Sequence, residues 1–309
     1  MQPAAGERRQ RDRVTSGAFV TGGAGFAGRH LLELLPGAVA PTREELELLD
    51  ADAVRAAVRQ NAPDTVWHLA ALASVGRSWE APAQTISENV AMTANLLEAV
   101  RAEAPDSTVV LIGSGEIYGP PERLPVDEDA PLRPQNPYAV SKAAVDLLGG
   151  QYADSTGLRV VRLRPFNHSG PGQSEDYVVG TLTRQVAEAE AAGRPEAVVR
   201  TGNPDSARDF SDVRDVVRAY VAAADLDAGV YNVASGSAVT VRQLIELVRA
   251  AARIPVRHEI DPARVRAHDV PEVRGSAERL RAATGWTPEI PLERTVADAL
   301  EAWRRELSR

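Results

Sequence analysis

Tyr138 and Lys142 stand four residues apart in "NPYAVSKAAVDLL", and Lys142 is the only lysine among 35 basic side chains. On a helix, positions i and i+4 project from one face. A phenol titrates at roughly 10 when unperturbed, and a fixed cation a few ångströms away favours the phenolate and eases proton exchange near neutrality. An ammonium does this as a compact point charge, which a planar guanidinium does not reproduce. The spacing alone also fits a surface lysine beside a packing tyrosine. Ser114, in "LIGSGEIYG" just past an apolar run, adds a hydroxyl able to hold a carbonyl oxygen against the phenol. Two residues further on, Glu116 is a candidate base or a group that orients a ligand.

Near the N-terminus, "VTGGAGFAG" spaces Gly22, Gly25 and Gly28 between an apolar strand pattern and a helical one. Such a loop makes a tight turn, brings backbone close to a pyrophosphate and aims a helix N-terminus at the anion. In the first strand–helix unit it points to a dinucleotide, with Phe26 and Ala27 at the helix start as further contacts. Lys142 then acquires a second role, reaching the ribose hydroxyls of a nicotinamide nucleotide. The next strand ends in "APTRE", with Thr42 and Arg43 where an NAD site carries an acid. Arg43 suits an extra phosphate, which favours NADP(H) over NAD(H), or it is a solvated side chain at a helix start. Asp50 either accepts from an adenine amino group or caps the helix that follows it.

The elements that must position these groups alternate. "GAFVTG", "AVAPT", "DTVWHLAA", "STVVLIGSG" and "LRVVRLRPFN" read as five strands. The intervening "FAGRHLLELL", "DADAVRAAVRQ", "ENVAMTANLLEAVRAEA" and "PYAVSKAAVDLLGGQYADSTG" carry helical periodicity. Repeated β-α units of this kind give an α/β fold, a doubly wound parallel sheet of Rossmann type with helices on both faces. Past about residue 170 glycine, proline and aspartate breaks become denser. The reading is a tail over residues 1–15, a dinucleotide-binding domain over 16–170 and a smaller α/β substrate domain over 171–309. Segments of the last are expected to return to the main sheet.

The bulk composition narrows the chemistry. With no cysteine, the 309 residues exclude disulfides and thiolate catalysis, and the five histidines show no metal-ligand spacing. A net charge of −8 argues against a nucleic-acid partner. The sequence has no apolar run long enough to span a membrane and no apolar signal segment, so a cytoplasmic protein is expected. An anionic ligand would be held by a few placed arginines.

With these residues assembled, the chain resembles the extended short-chain dehydrogenase/reductases that act on nucleotide sugars, over about residues 16–306. The carrying motifs are "TGGAGFAG", "HLAALASV", "GSGEIYG", "NPYAVSK", "RPFNHSGPGQ" and "ARDFSDVRD". "RPFNHSGPGQ", "YNVASG" with "VTVRQLIELV", and "RVRAHDVPEVRGSAERLRAATGWTPEIPLERT" look closest to the GDP-4-keto-6-deoxymannose reductases within that family. The resemblance implies that Ala70 of "HLAALASV" lies against the dinucleotide and that Asn167 contacts the sugar or pyrophosphate. It implies a substrate phosphate for Arg208, and the nucleoside end for Arg266 with Asp269. A surface ion pair with Asp209 or Asp212 is the other reading of Arg208.

The 4,6-dehydratases of this family carry an Asp-Glu pair after the serine or threonine, and here those positions are Gly115 and Glu116. Glycine supplies no acid, so elimination by that route loses its proton donor. The expected activity is therefore 4-keto reduction of a nucleotide-diphospho-4-keto-6-deoxyhexose, GDP-linked by resemblance, with Tyr138 giving the proton. The alternatives are a 4-epimerase with tightly held NAD, a dehydratase with an unusual acid, and a dinucleotide sensor without catalysis. The resemblance also implies a homodimer through a four-helix bundle, using helices at residues 88–103 and 137–155.

Overall fold

The computed structural model describes residues 17–265 and 270–309. The first half runs β1 (Ala18–Thr21), α1 (Phe26–Leu34), α2 (Ala51–Asn61), β2 (Thr65–His68), α3 (Val75–Glu80), α4 (Pro82–Glu103), β3 (Thr108–Ile112), α5 (Pro137–Thr156) and β4 (Arg159–Pro165). The second continues through β5 (Asn167–Ser169), α6 (Val178–Ala191), β6 (Ala197–Thr201), β7 (Ala207–Asp212), α7 (Val213–Ala222), β8 (Gly229–Val233) and β9 (Ala238–Thr240). It closes with α8 (Val241–Ala251), β10 (Val256–Ile260), β11 (Glu272–Val273), α9 (Glu278–Thr284) and α10 (Leu292–Leu307).

The main sheet has the order β1-β2-β3-β4-β8, every neighbour parallel. Its strands are buried on both faces, so successive residues enter different cores. Trp67, Val110 and Val161 pack with α1 and α7, whereas Val66, Val109 and Val160 pack with α2 and α4. The expected second strand is reduced to one parallel bridge, Val39 to Phe19. Pro41 follows at once and has no N–H to extend a ladder, and the chain turns through Thr42, whose N–H donates to Glu45 Oε2 at 2.8 Å. Val39 sits on one side of β1 and β2 on the other, so the strand order reverses at β1. The carboxyl ends of β1 and β2 are the crevice where doubly wound sheets bind ligands.

From the second half, β8 adds to the main sheet beside β4, and α7 packs on α1. The remaining strands form a parallel β6–β10 pair and a small β11-β7-β5 sheet with β9 antiparallel to β7. A third core, with Leu182, Val199, Leu244 and Leu300, joins α6, β6, α8 and α10. The three aspartates of "ARDFSDVRD" brace this half. Asp209 accepts from the Ser235, Gly236 and Gly275 N–H groups and the Ser235 hydroxyl. Asp212 caps α7 and accepts from Thr295, while Asp215 accepts from the Glu289 and Ile290 N–H groups. Each buried carboxylate holds a different stretch of chain. No described helix is long and apolar enough to cross a membrane.

Candidate active site

Ser114 follows β3 by two residues and caps the short 3-10 turn Gly115–Tyr118, its Oγ accepting from the Glu116 N–H at 3.2 Å. Asn136 caps α5, its Oδ1 accepting from the Ala139 N–H at 2.8 Å, and its Nδ2 donates to Glu116 Oε2 at 3.4 Å. One asparagine thus ties the Ser114–Glu116 turn to the helix that carries Tyr138 and Lys142. The Ser114 hydroxyl, Glu116 and Tyr177 all lie close enough to the Tyr138 phenol to act on its ionisation. Ser114, Glu116 and Tyr138 therefore form one cluster.

The electrostatics differ from the expectation that Lys142 lowers the Tyr138 pKa. Burial is the dominant influence on the phenol and pushes its pKa well up, against the pull of the Ser114 hydroxyl. Burial also brings the Lys142 pKa down to about 8. The Lys142 Nζ donates to the Ile112 carbonyl at 2.7 Å, so its charge is directed at the strand end. Both groups are driven toward their neutral forms, and at neutral pH Tyr138 is a protonated phenol and Lys142, one helical turn along, a protonated amine.

The glycine loop has the geometry its spacing suggested. Gly22 has φ +75°, and a Cβ there would lie 2.6 Å from the Ala70 nitrogen. A Cβ on Gly28 would lie 2.2 Å from the Gly22 carbonyl. Gly25 begins α1 with no side-chain cap and no acid in the first turn, which leaves the N–H groups around Phe26 and Ala27 for an anion. This donor set fits a dinucleotide pyrophosphate. Thr42 and Arg43 lie beyond the Val39 bridge, with Arg43 exposed and its Nε 3.3 Å from Glu47 Oε2. Asp50 caps α2, its side chain accepting from the Asp52 and Ala53 N–H groups, which satisfies the capping reading.

Asn167 opens β5 opposite Phe210 of β7, and Arg208 lies two residues before Phe210, so the two share a small sheet. The Arg208 Nη1 donates to the Ala207 and Val270 carbonyls at 2.9 and 2.7 Å. Arg266 and Asp269 lie outside the described residues. Among the described residues no group of three or more histidines, aspartates and glutamates could hold a metal ion.

Several participants were not singled out from the sequence. Asn136 is one, legible as an N-cap before Pro137. Another is a buried string from the glycine loop to α5. Its first link joins Thr21 Oγ1 to His68 Nδ1 at 2.7 Å, and its second joins His68 Nε2 to Thr93 Oγ1 at 3.0 Å. Thr93 donates to the Asn89 carbonyl, the Asn89 Nδ2 donates to Ser141 Oγ at 2.9 Å, and Ser141 donates to the Tyr138 carbonyl at 2.7 Å. Because the Thr93 proton is committed to Asn89, His68 Nε2 carries the proton that Thr93 accepts. Burial, with Lys142 nearby, holds the His68 pKa down to about 3, so the ring stays neutral.

A doubly wound sheet with this glycine loop and a Ser–Tyr–Lys set at the strand ends defines a dinucleotide-dependent oxidoreductase of the extended short-chain class. Comparison with known proteins narrows it. The sequence profile described as GDP-mannose 4,6 dehydratase matches residues 38–299. GDP-6-deoxy-D-mannose reductase of Pseudomonas aeruginosa is 38% identical, with 94% of this chain and 98% of the relative covered. The structure of RMD from Pseudomonas aeruginosa complexed with NADPH superposes with a TM-score of 0.85 at 36% identity, covering 94% of this chain and 99% of that one. UDP-glucose 4-epimerase of Thermus thermophilus in complex with NAD gives 0.80 at 32% identity, covering 93% and 98%. The chain belongs to the GDP-mannose 4,6-dehydratase family.

Proposed function

We propose that this chain is an NADPH-dependent reductase of a GDP-linked 4-keto-6-deoxyhexose. The observation that carries the reading is the pairing of the Ser114–Tyr138 cluster with a site where the dehydratase acid has no counterpart. A Cβ on Gly115 would sit 3.1 Å from the Phe166 ring, so an acidic side chain there would require that ring to move. Ketone reduction needs no such acid. The reductase relative at 38% identity and the NADPH-bound neighbour support the substrate class and the cofactor.

The nucleotide would be held by the backbone of Gly22, Gly25, Phe26, Ala27 and Gly28, with Ala70 beside the loop, and by Lys142 at the ribose. Arg43 meets the extra phosphate. When bound, NADPH supplies a hydride for C4 of the sugar. Ser114 holds the carbonyl oxygen, and Tyr138 delivers the proton to it as alkoxide character develops. Lys142 keeps a positive charge beside the phenol as it gives up that proton, stabilising the negative form. Glu116, fixed by Asn136, orients the hexose, while Asn167 and Arg208 receive the diphosphate and Arg266 with Asp269 the nucleoside. Residues 16–170 and 171–309 act as the dinucleotide and sugar halves of a cytoplasmic homodimer packed through α4 and α5. Val140 and Leu147, exposed on α5 at heptad spacing, suit that interface.

The test begins with purified protein denatured to release whatever dinucleotide it carries, identified by mass spectrometry. Protein incubated with GDP-4-keto-6-deoxymannose and NADPH is then followed by loss of near-ultraviolet absorbance and by product analysis. Oxidation of NADPH matched to reduced sugar is expected. Firmly retained NAD, with interconversion of C4 epimers and no consumption of NADPH, would replace the reductase with an epimerase.

A further inference from the structure

The Tyr138 site has a second phenol. Tyr177 is the residue from which α6 departs in the sugar half, and its side chain crosses to the dinucleotide half, where Oη donates to the Ala73 carbonyl at 3.4 Å. Beside it, Asp176 meets Arg77 Nη2 at 3.5 Å. Thr181 Oγ1 donates to the Glu175 and Tyr177 carbonyls at 2.5 and 3.0 Å, so the backbone of this strap is fixed on the first turn of α6.

Its landing point is tied to the catalytic helix. Ala73 follows Leu72, whose N–H donates to Asn89 Oδ1 at 2.8 Å and whose carbonyl accepts from Asn89 Nδ2 at 3.3 Å. The same Nδ2 reaches Ser141, which holds the Tyr138 carbonyl. The Ala73 carbonyl that the Tyr177 hydroxyl reaches is therefore tied, through one asparagine, to the turn of helix that bears Tyr138. The Tyr177 phenol also lies close enough to act on that of Tyr138 electrostatically.

Resting on the reductase reading, we propose that Tyr177 is a substrate-positioning residue, its hydroxyl hydrogen-bonding the hexose on the side away from Ser114. The chemistry favours positioning over proton delivery. Burial and the neighbouring Asp176 push the Tyr177 pKa up, and Tyr138 is the phenol on which the Ser114 hydroxyl acts. The contact with Ala73 is at the long limit for a hydrogen bond, so a sugar hydroxyl is a better partner. The exposed Arg77–Asp176 pair helps to hold the strap that carries Tyr177 against the dinucleotide half.

The test measures the affinities of GDP and GDP-mannose for the NADP+-loaded protein by calorimetry, in wild type, Tyr177→Phe and Arg77→Gln. Loss of one hydrogen bond should weaken GDP-mannose by about five- to tenfold in Tyr177→Phe and leave GDP unchanged. KM for the keto sugar should rise while kcat stays within about threefold of wild type. Arg77→Gln loosens the strap and should weaken GDP-mannose selectively to a smaller degree, and it decides the matter if Tyr177→Phe does not fold. Equal weakening of both ligands would assign Tyr177 a structural role only, and unchanged GDP-mannose affinity in the folded variants would remove it from the site. Wild type that binds no GDP would overturn the nucleotide-sugar reading together with this assignment.

Discussion

The Lys142 ammonium donates to the carbonyl of Ile112, two residues before Ser114, at 2.7 Å. The lone lysine thus fixes α5 to the strand that leads to Ser114. Its pKa of about 8 lies below the unfolded value of roughly 10.4. The charge costs the fold about 3 kcal/mol below pH 8, and that cost disappears as pH rises toward the unfolded value. Lys142→Met should therefore melt higher than wild type at pH 7, with the gap closing near pH 10, although it lacks activity. In wild type, kcat/KM should fall as pH rises through about 8, where the ammonium loses its proton. Thermal melts at the two pH values and a pH–rate profile check both. Melting points that differ equally at the two pH values would mean that the burial cost does not come from the charge.

Tyr138 remains protonated throughout that range because burial raises its pKa, so the phenol is always available as donor. Tyr138→Phe should lower kcat by about 10²- to 10⁴-fold, the range for loss of a general acid, with KM for NADPH little changed. Ser114→Ala should cost less, since the phenol can still reach the oxygen. Steady-state kinetics on folded protein decide this, and a Phe variant with near-normal kcat would mean that another group supplies the proton.

Much of this site was legible because its chemistry is local. Tyr138 and Lys142 share a helix face by spacing alone, and the glycine loop follows from three residues in one turn. What sequence could not show is held by contacts across long separations. Val39 reads as strand, yet Pro41 limits it to a bridge. The depressed Lys142 pKa depends on how deeply α5 packs. Thr21, His68, Thr93, Asn89 and Ser141 are ordinary polar residues until folding aligns them, and Tyr177 comes within electrostatic reach of Tyr138 only because β5 and α6 return over the sheet ends.

Arg43 is exposed beyond the glycine loop and paired only loosely with Glu47, so it can turn toward a phosphate. Arg43→Ala should raise KM for NADPH by about tenfold and leave KM for NADH within about twofold, an effect that shrinks with added salt. Parallel titrations with the two cofactors measure it. An equal change for both would place the arginine away from the extra phosphate.

Asp146 lies one helical turn beyond Lys142 and two beyond Tyr138, and it is bound on both oxygens by Arg164, at 2.9 Å from Nε and 2.7 Å from Nη2. Both side chains are buried. The same guanidinium donates to Tyr118 Oη at 2.8 Å and to the Glu128 carbonyl at 3.1 Å. It therefore couples the rotation of α5 to the far end of the Ser114–Tyr118 turn. Asp146→Ala leaves the guanidinium buried without its counter-charge and should destabilise the fold by about 3–5 kcal/mol. Replacing both partners with apolar residues, Asp146→Leu with Arg164→Met, should recover most of that stability, since a buried pair contributes little beyond its own desolvation. It should not restore kcat, because the Arg164→Met change takes away the donor to Tyr118 that positions the serine turn. Urea melts and kcat on wild type and the two variants separate the two effects. A double variant restored in both stability and turnover would show that the pair supports the fold alone.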